Sequence, residues 1–136
     1  MSKVTYFPNQ YTEGVNIFVS VNKTMNEGVP VTGRSKKQCI AKSWYFFKEE
    51  EARIVEAIEA GLPVTITGIE RGVQRGTYMV EGYEIIDIAD SNPEVGITRR
   101  FEFILGKPVY QGGPIFNGSL GMHAVAVKGL EKETQK

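Results

Sequence analysis

Residues 38–72 read QCIAKSWYFFKEEEARIVEAIEAGLPVTITGIERG, and this stretch decides the fold. Its middle predicts the one convincing helix of the chain, over residues 48–60. Glu49, Glu50 and Glu51 crowd the first turn, where the helix dipole favours negative charge. Ile54, Val55 and Ile58 form one apolar stripe. Gly61 suits the left-handed position after the last turn, and Pro63 prevents continuation. Before the helix, residues 39–47 read as a strand with apolar groups on both sides. Cys39, Ala41, Ser43, Tyr45 and Phe47 share one face, and Ile40, Lys42, Trp44 and Phe46 share the other. After the helix, residues 64–70 read as a strand, with Val64 and Ile66 inward and Gly68 marking a bulge or bend.

Outward from this block, residues 15–21 alternate cleanly. Val15, Ile17, Val19 and Val21 share one face, and Asn16, Phe18 and Ser20 share the other, which predicts a half-buried strand. Residues 22–38 read as a long connection or loose hairpin, broken by Asn26, Gly28, Pro30 and Gly33. Residues 71–76 form a basic, glycine-bounded turn, and 77–80 pairs with 83–89 across Glu81-Gly82. Residues 90–97 form a loop. Further strands are expected at 98–105 and 122–127, separated by a glycine- and proline-rich segment over 106–121. The polar arm of residues 1–14 carries Tyr6, Phe7 and Tyr11, which can pin it to the domain, and a charged tail from 128 is expected to fray.

The chain has 136 residues, enough for one domain with its own core. Sixteen basic and sixteen acidic residues cancel, which argues against a protein acting through bulk positive charge but leaves room for a local basic groove. The single cysteine, Cys39, excludes an internal disulfide and fits a reducing, cytoplasmic compartment. The first residues lack the apolar core of a signal peptide, and no apolar run approaches the about 18 residues of a membrane span.

A single helix between the third and fourth strands of a five-stranded Greek-key barrel describes the OB-fold. Residues 15–89 resemble the single-stranded-DNA-binding proteins of that fold. The block at 38–72, followed by GTYMVEGYEII at 76–86, carries the resemblance: an aromatic strand, a helix, a strand of the form valine-x-isoleucine-x-glycine, and a basic hairpin. The expectation is therefore a mainly β domain spanning 1–136, an OB-fold-like barrel with its core over about 15–89 and additional strands over 98–127. Two departures stand out. The chain ends GLEKETQK, without the acidic, phenylalanine-tipped peptide through which many bacterial members recruit partners, and the strands beyond 98 exceed a minimal barrel. Both suggest a phage- or plasmid-type variant.

Single strands are held by cations on phosphates and by aromatic faces under bases. Phe18, Trp44 and Phe46, with Lys42 between the last two, have the chemistry of a stacking strip. In the alternative arrangement Trp44 and Phe46 are core and the opposite face of their strand points outward. Arg34, Lys36 and Lys37, then Arg71 and Arg75, are candidate phosphate contacts, and Tyr78 is a further platform. Ordinary solvated loop charge is the plainer account of the basic residues. Arg99, Arg100 and Lys107 extend the groove or merely solubilise the extra hairpin, the second being favoured.

No catalytic constellation appears, and no cofactor or metal is implied. His123 is the only histidine, in a short apolar strand where a structural role is the simpler reading. The function expected is sequence-tolerant binding of single-stranded DNA in replication or recombination, by a homo-oligomer without membrane attachment. The competing expectation is a protein-interaction or structural β-barrel of a phage or plasmid. An enzyme using 106–121 as a lid is a third, weaker possibility, since no nucleophile–base pair is visible.

Overall fold

A computed structural model describes residues 14–31, 33–89, 94, 96–109, 120 and 123–129. The expectations for Tyr6, Phe7 and Tyr11, for most of the loops at 90–97 and 106–121, and for the tail beyond 129 lie outside the described residues. Strand makes up 52% of the described residues, so the fold is mainly β.

Five strands form one sheet in the order β6-β5-β4-β1-β7. They are β1 (Val15–Ser20), β4 (Val64–Glu70), β5 (Val73–Ala89), β6 (Ile97–Pro108) and β7 (Val125–Lys128). A small hairpin joins β2 (Met25–Asn26) to β3 (Val29–Pro30), and two helices follow it, α1 (Lys36–Ala41) and α2 (Lys48–Glu59). The expected Greek-key barrel is not closed: β6 and β7 end the sheet. β1 and β4 lie side by side and parallel, with Ile17 opposite Ile66. Parallel neighbours need a long crossover, and residues 21–63, with both helices, supply it. β7 pairs antiparallel with the other side of β1, so the additional C-terminal strands belong to the same sheet as the segment 15–89.

α2 fits its expected bounds closely. Gly61 is left-handed at φ +76°, and the Leu62 N–H donates to the Ala57 carbonyl, which closes the helix end. Ile54 and Ala57 are buried against the sheet.

α1 corrects the strand expected over 39–47. Ser35 Oγ accepts from the Gln38 N–H at 3.1 Å, and Gln38 Oε1 accepts from the Ser35 N–H at 2.9 Å. This capping box satisfies two end groups of the first turn and starts a helix, so the chain has two helices among the described residues. Of the expected strand only one bridge survives, Trp44 with Phe101 of β6. Gly68 lets α1 close on β4: a Cβ there would stand 2.7 Å from Ile40 Cγ1. The ladder shifts register at that glycine, as its place in the strand suggests.

Two further expectations change. β5 runs unbroken through Glu81-Gly82, where its pairing with β6 shifts register instead of turning. The hairpin turn lies earlier, at Arg71-Gly72, with both residues left-handed at φ +48° and +84°. β1 is buried on both faces, not one. Val15, Ile17 and Val19 join the main core with Ile66, Phe101 and Val127. On the opposite face Thr65 Oγ1 donates to Asn16 Oδ1 at 2.9 Å, and the Thr67 and Thr77 hydroxyls meet at 2.8 Å. Among the described residues no helix is long and apolar enough to cross a membrane.

Candidate functional site

The carboxyl end of β1, α1 with the segment after it, the early residues of β6 and the start of β7 line an open-mouthed cleft of about 610 Å³. That volume falls in the ordinary range for one small ligand, about 300–1,000 Å³. Lys23, Arg34, Lys42 and Arg100 line it with His123, Trp44 and Tyr45, and no Asp or Glu does so among the described residues. Lys23, Arg34 and Lys42 have no carboxylate partner among those residues. In a chain of zero net charge this concentration of one sign is local, and a concave wall focuses its field.

Several ties hold the walls. The Trp44 indole N–H donates to the Ile40 carbonyl at 2.7 Å, which keeps the ring half-buried against the core. The N–H groups of Ser43 and Trp44 both donate to the Phe101 carbonyl, and Arg100 Nη1 donates to the Ser43 carbonyl at 3.2 Å. Ser43 and Ala124 each take a left-handed backbone at φ +70°. Such non-glycine residues cost about 1–3 kcal/mol and tend to cluster at functional sites. The other two described examples, Glu27 and Arg71, sit beside glycines in hairpin turns; Ser43 and Ala124 both line the cleft.

The sequence candidates separate into distinct places. Arg34, Lys42 and Trp44 converge on the cleft. Lys36, Lys37 and Tyr78 gather elsewhere over β5: Lys37 Nζ stands 5.7 Å from the centre of the Tyr78 ring, and Lys36 lies beside Gly76. Phe18 and Phe46 are interior, 1% and 6% exposed, and offer no ring face to solvent. Phe46 meets Phe101 and Phe103 edge-on at 5.6 and 5.9 Å. The expected strip of Phe18, Trp44 and Phe46 is therefore not assembled, and the alternative parity holds for Phe46.

Arg71 and Arg75 are committed to Glu70. This buried carboxylate accepts from the N–H groups of Glu27 and Gly28 at 2.7 and 2.8 Å, and from Arg71 Nη1 and Arg75 Nε at 2.9 Å each. Burial pushes its pKa up, but the two backbone donors and Arg75 outweigh that and hold it below its ordinary value. The arrangement locks the β2–β3 hairpin to the β4–β5 turn.

Residues passed over in the sequence complete the rim. Tyr45 and Phe47 are 45% and 49% exposed, on either side of buried Phe46. Phe47 and His123 stack face to face at 3.8 Å and 6°. Glu50 Oε1 accepts from the Phe47 N–H and sits 2.8 Å from His123 Nε2, which fixes both rings. Tyr45 stands edge-on to both at 6.1 and 6.3 Å. The run Trp44-Tyr45-Phe46-Phe47 carries no polar residue to mark its outward side; only the start of α2, with Phe47 as its cap, sets the parity. Arg100 also reaches the cleft, whereas Arg99 pairs with Glu51 at 2.9 Å.

The cleft offers cations, aromatic rings and backbone groups to a ligand. Cys39 at its wall is buried, with its thiol directed at the Thr24 carbonyl. Among the described residues no group of three or more His, Cys, Asp or Glu gathers as metal ligands. No protein-family model, no curated protein and no solved structure matches the chain.

Proposed function

We propose that this protein binds single-stranded DNA with little sequence preference, in the replication or recombination of a phage or plasmid, within the bacterial cytoplasm. One observation carries the reading: among the described residues, Lys23, Arg34 and Lys42 have no carboxylate partner and share a cleft with the Trp44 indole and no acidic lining residue. Cations follow phosphates, and rings accept any base, so the pairing suits a flexible polyanion that carries flat groups. The exposed rings of Tyr45 and Phe47 beside the cleft extend the stacking surface. A relation to the OB class belongs to the same proposal. It is supported by the β4–β5–β6 meander with its bulged, curving middle strand; the parallel β1–β4 pair departs from that pattern.

Trp44 is the only tryptophan, so its fluorescence reports on the cleft directly. Titration with oligo-dT at low salt is expected to quench it saturably, with duplex DNA much weaker. Affinity should fall with a log–log salt slope of about −0.7 per phosphate contact. A folded protein whose emission ignores oligo-dT at low salt overturns the proposal.

A second reading, a protein-interaction domain, is favoured by one feature. Beyond its pairing with β4, β5 continues with β6 as a two-stranded ribbon, and Ile85, Ile97 and Ile104 are exposed there. An edge strand of this kind is open to pairing, and self-association through it is compatible with either reading. Light scattering across a concentration series distinguishes a strict monomer from an oligomer.

A further inference from the structure

We infer that the cleft receives the phosphorylated end of a strand, a phosphate monoester, and not an internal stretch of phosphodiesters. This rests on the nucleic-acid reading and deepens it.

Size is the first argument. A strand bound along its length needs room for several nucleotides, whereas this cleft has room for one small ligand and walls tied to one another. The wall at 43–44 is fastened to β6 through the Phe101 carbonyl and Arg100. The rim at His123 is fastened to the start of α2 through Glu50 and by its stack on Phe47. Ser20 N–H donates to the Ala124 carbonyl at 2.8 Å, which joins the remaining pair of walls, β1 and the approach to β7.

Charge is the second argument. A space sized for one small ligand admits only one or two diesters, each with a single negative charge. Yet it is lined by Lys23, Arg34 and Lys42 without a carboxylate among the described lining residues. A terminal monoester carries about −1.5 to −2 at neutral pH and three acceptor oxygens, which is the better match to several converging donors. The aromatic lining by Trp44 and Tyr45 then suits the terminal base, and the exposed ring of Phe47 lies outside for the next.

The same chemistry is offered by a 5′-phosphorylated strand, a 3′-phosphorylated strand and a free mononucleotide. The test is therefore a Trp44 fluorescence titration with four probes: oligo-dT with a 5′-phosphate, with a 3′-phosphate and with neither, and thymidine monophosphate alone. The expected result is that one phosphorylated end binds about tenfold or more tightly than the unphosphorylated oligonucleotide. Lys42→Gln and Arg34→Gln, checked for an unchanged melting curve, should each shrink that preference while weaker binding persists. If all three oligonucleotides bind equally, the inference is overturned and the nucleic-acid reading stands. If the mononucleotide binds and no oligonucleotide does, the monoester site stands and the nucleic-acid reading falls. Silence from all four probes overturns both.

Discussion

Two basic regions of this molecule look alike in sequence and behave oppositely in the fold. Arg71 and Arg75 flank a turn and converge on Glu70, a buried carboxylate that also ties down the β2–β3 hairpin. Arg34 and Lys42 flank α1 and face a cleft with no acidic lining among the described residues. The first pair is consumed in holding structure together; the second is left with its charge uncompensated. A basic residue becomes a candidate ligand contact through what stands opposite it, not through its own identity.

The largest test of this contrast reverses charge at the cleft and removes it at the turn. Arg34→Glu with Lys42→Glu is expected to lower oligo-dT affinity by about 100-fold or more and to flatten the log–log salt slope by about 1.4, two phosphate contacts for single strands. Arg71→Gln with Arg75→Gln should leave that slope unchanged. A slope that falls equally in both double variants breaks the comparison.

Next in size is Glu70→Gln, which acts on stability and not on binding. Glu70 has its folded-state pKa held below the ordinary 4.5. Its stabilising contribution is therefore present in full above that value and is lost as pH falls from about 4.5 through the lower folded-state value. The variant should melt earlier than the wild type at neutral pH, and the gap should narrow on acidification below pH 4.5. A gap that is constant with pH would show that Glu70 carries no charge-dependent role.

Tyr45→Ala sharpens the cleft side alone. The loss expected for one stacked base is about 1–3 kcal/mol in oligonucleotide affinity, read by titration. Stability should change little, because the ring is 45% exposed. Its neighbour Phe46→Ala should do the reverse, costing about 3–5 kcal/mol of unfolding free energy in denaturant melts. The smallest effect is Arg71→Gln by itself. Its side chain is 62% exposed, and screened pairs of that kind contribute about 0–1 kcal/mol.

Much of the framework was legible from residue order. The period-two pattern of 15–20, the stripe of Ile54 and Ile58 with its Gly61 stop, and the bulge at Gly68 are local signals, readable without knowing which strands pair. α1 was legible in principle, since Ser35 and Gln38 spell a capping box, but apolar residues on both sides of 39–47 masked it. The parallel placement of β1 beside β4 had no local signature. It depends on how the crossover packs, with Ile40 pressed onto Gly68 from 28 positions away.

The candidate site divides along the same line. Composition and order already determined a mainly β chain with a strong helix at 48–60, one cysteine, balanced charge, and aromatic and basic residues in plausible supply. Which of them meet was decided only by the tertiary structure. Glu70 finds its backbone donors 42 and 43 residues upstream, and Glu50 finds His123 73 residues downstream. Charge pairing and ring stacking act over a few ångströms of space, and a chain folded by burial of its apolar faces sets those separations without reference to distance along the sequence.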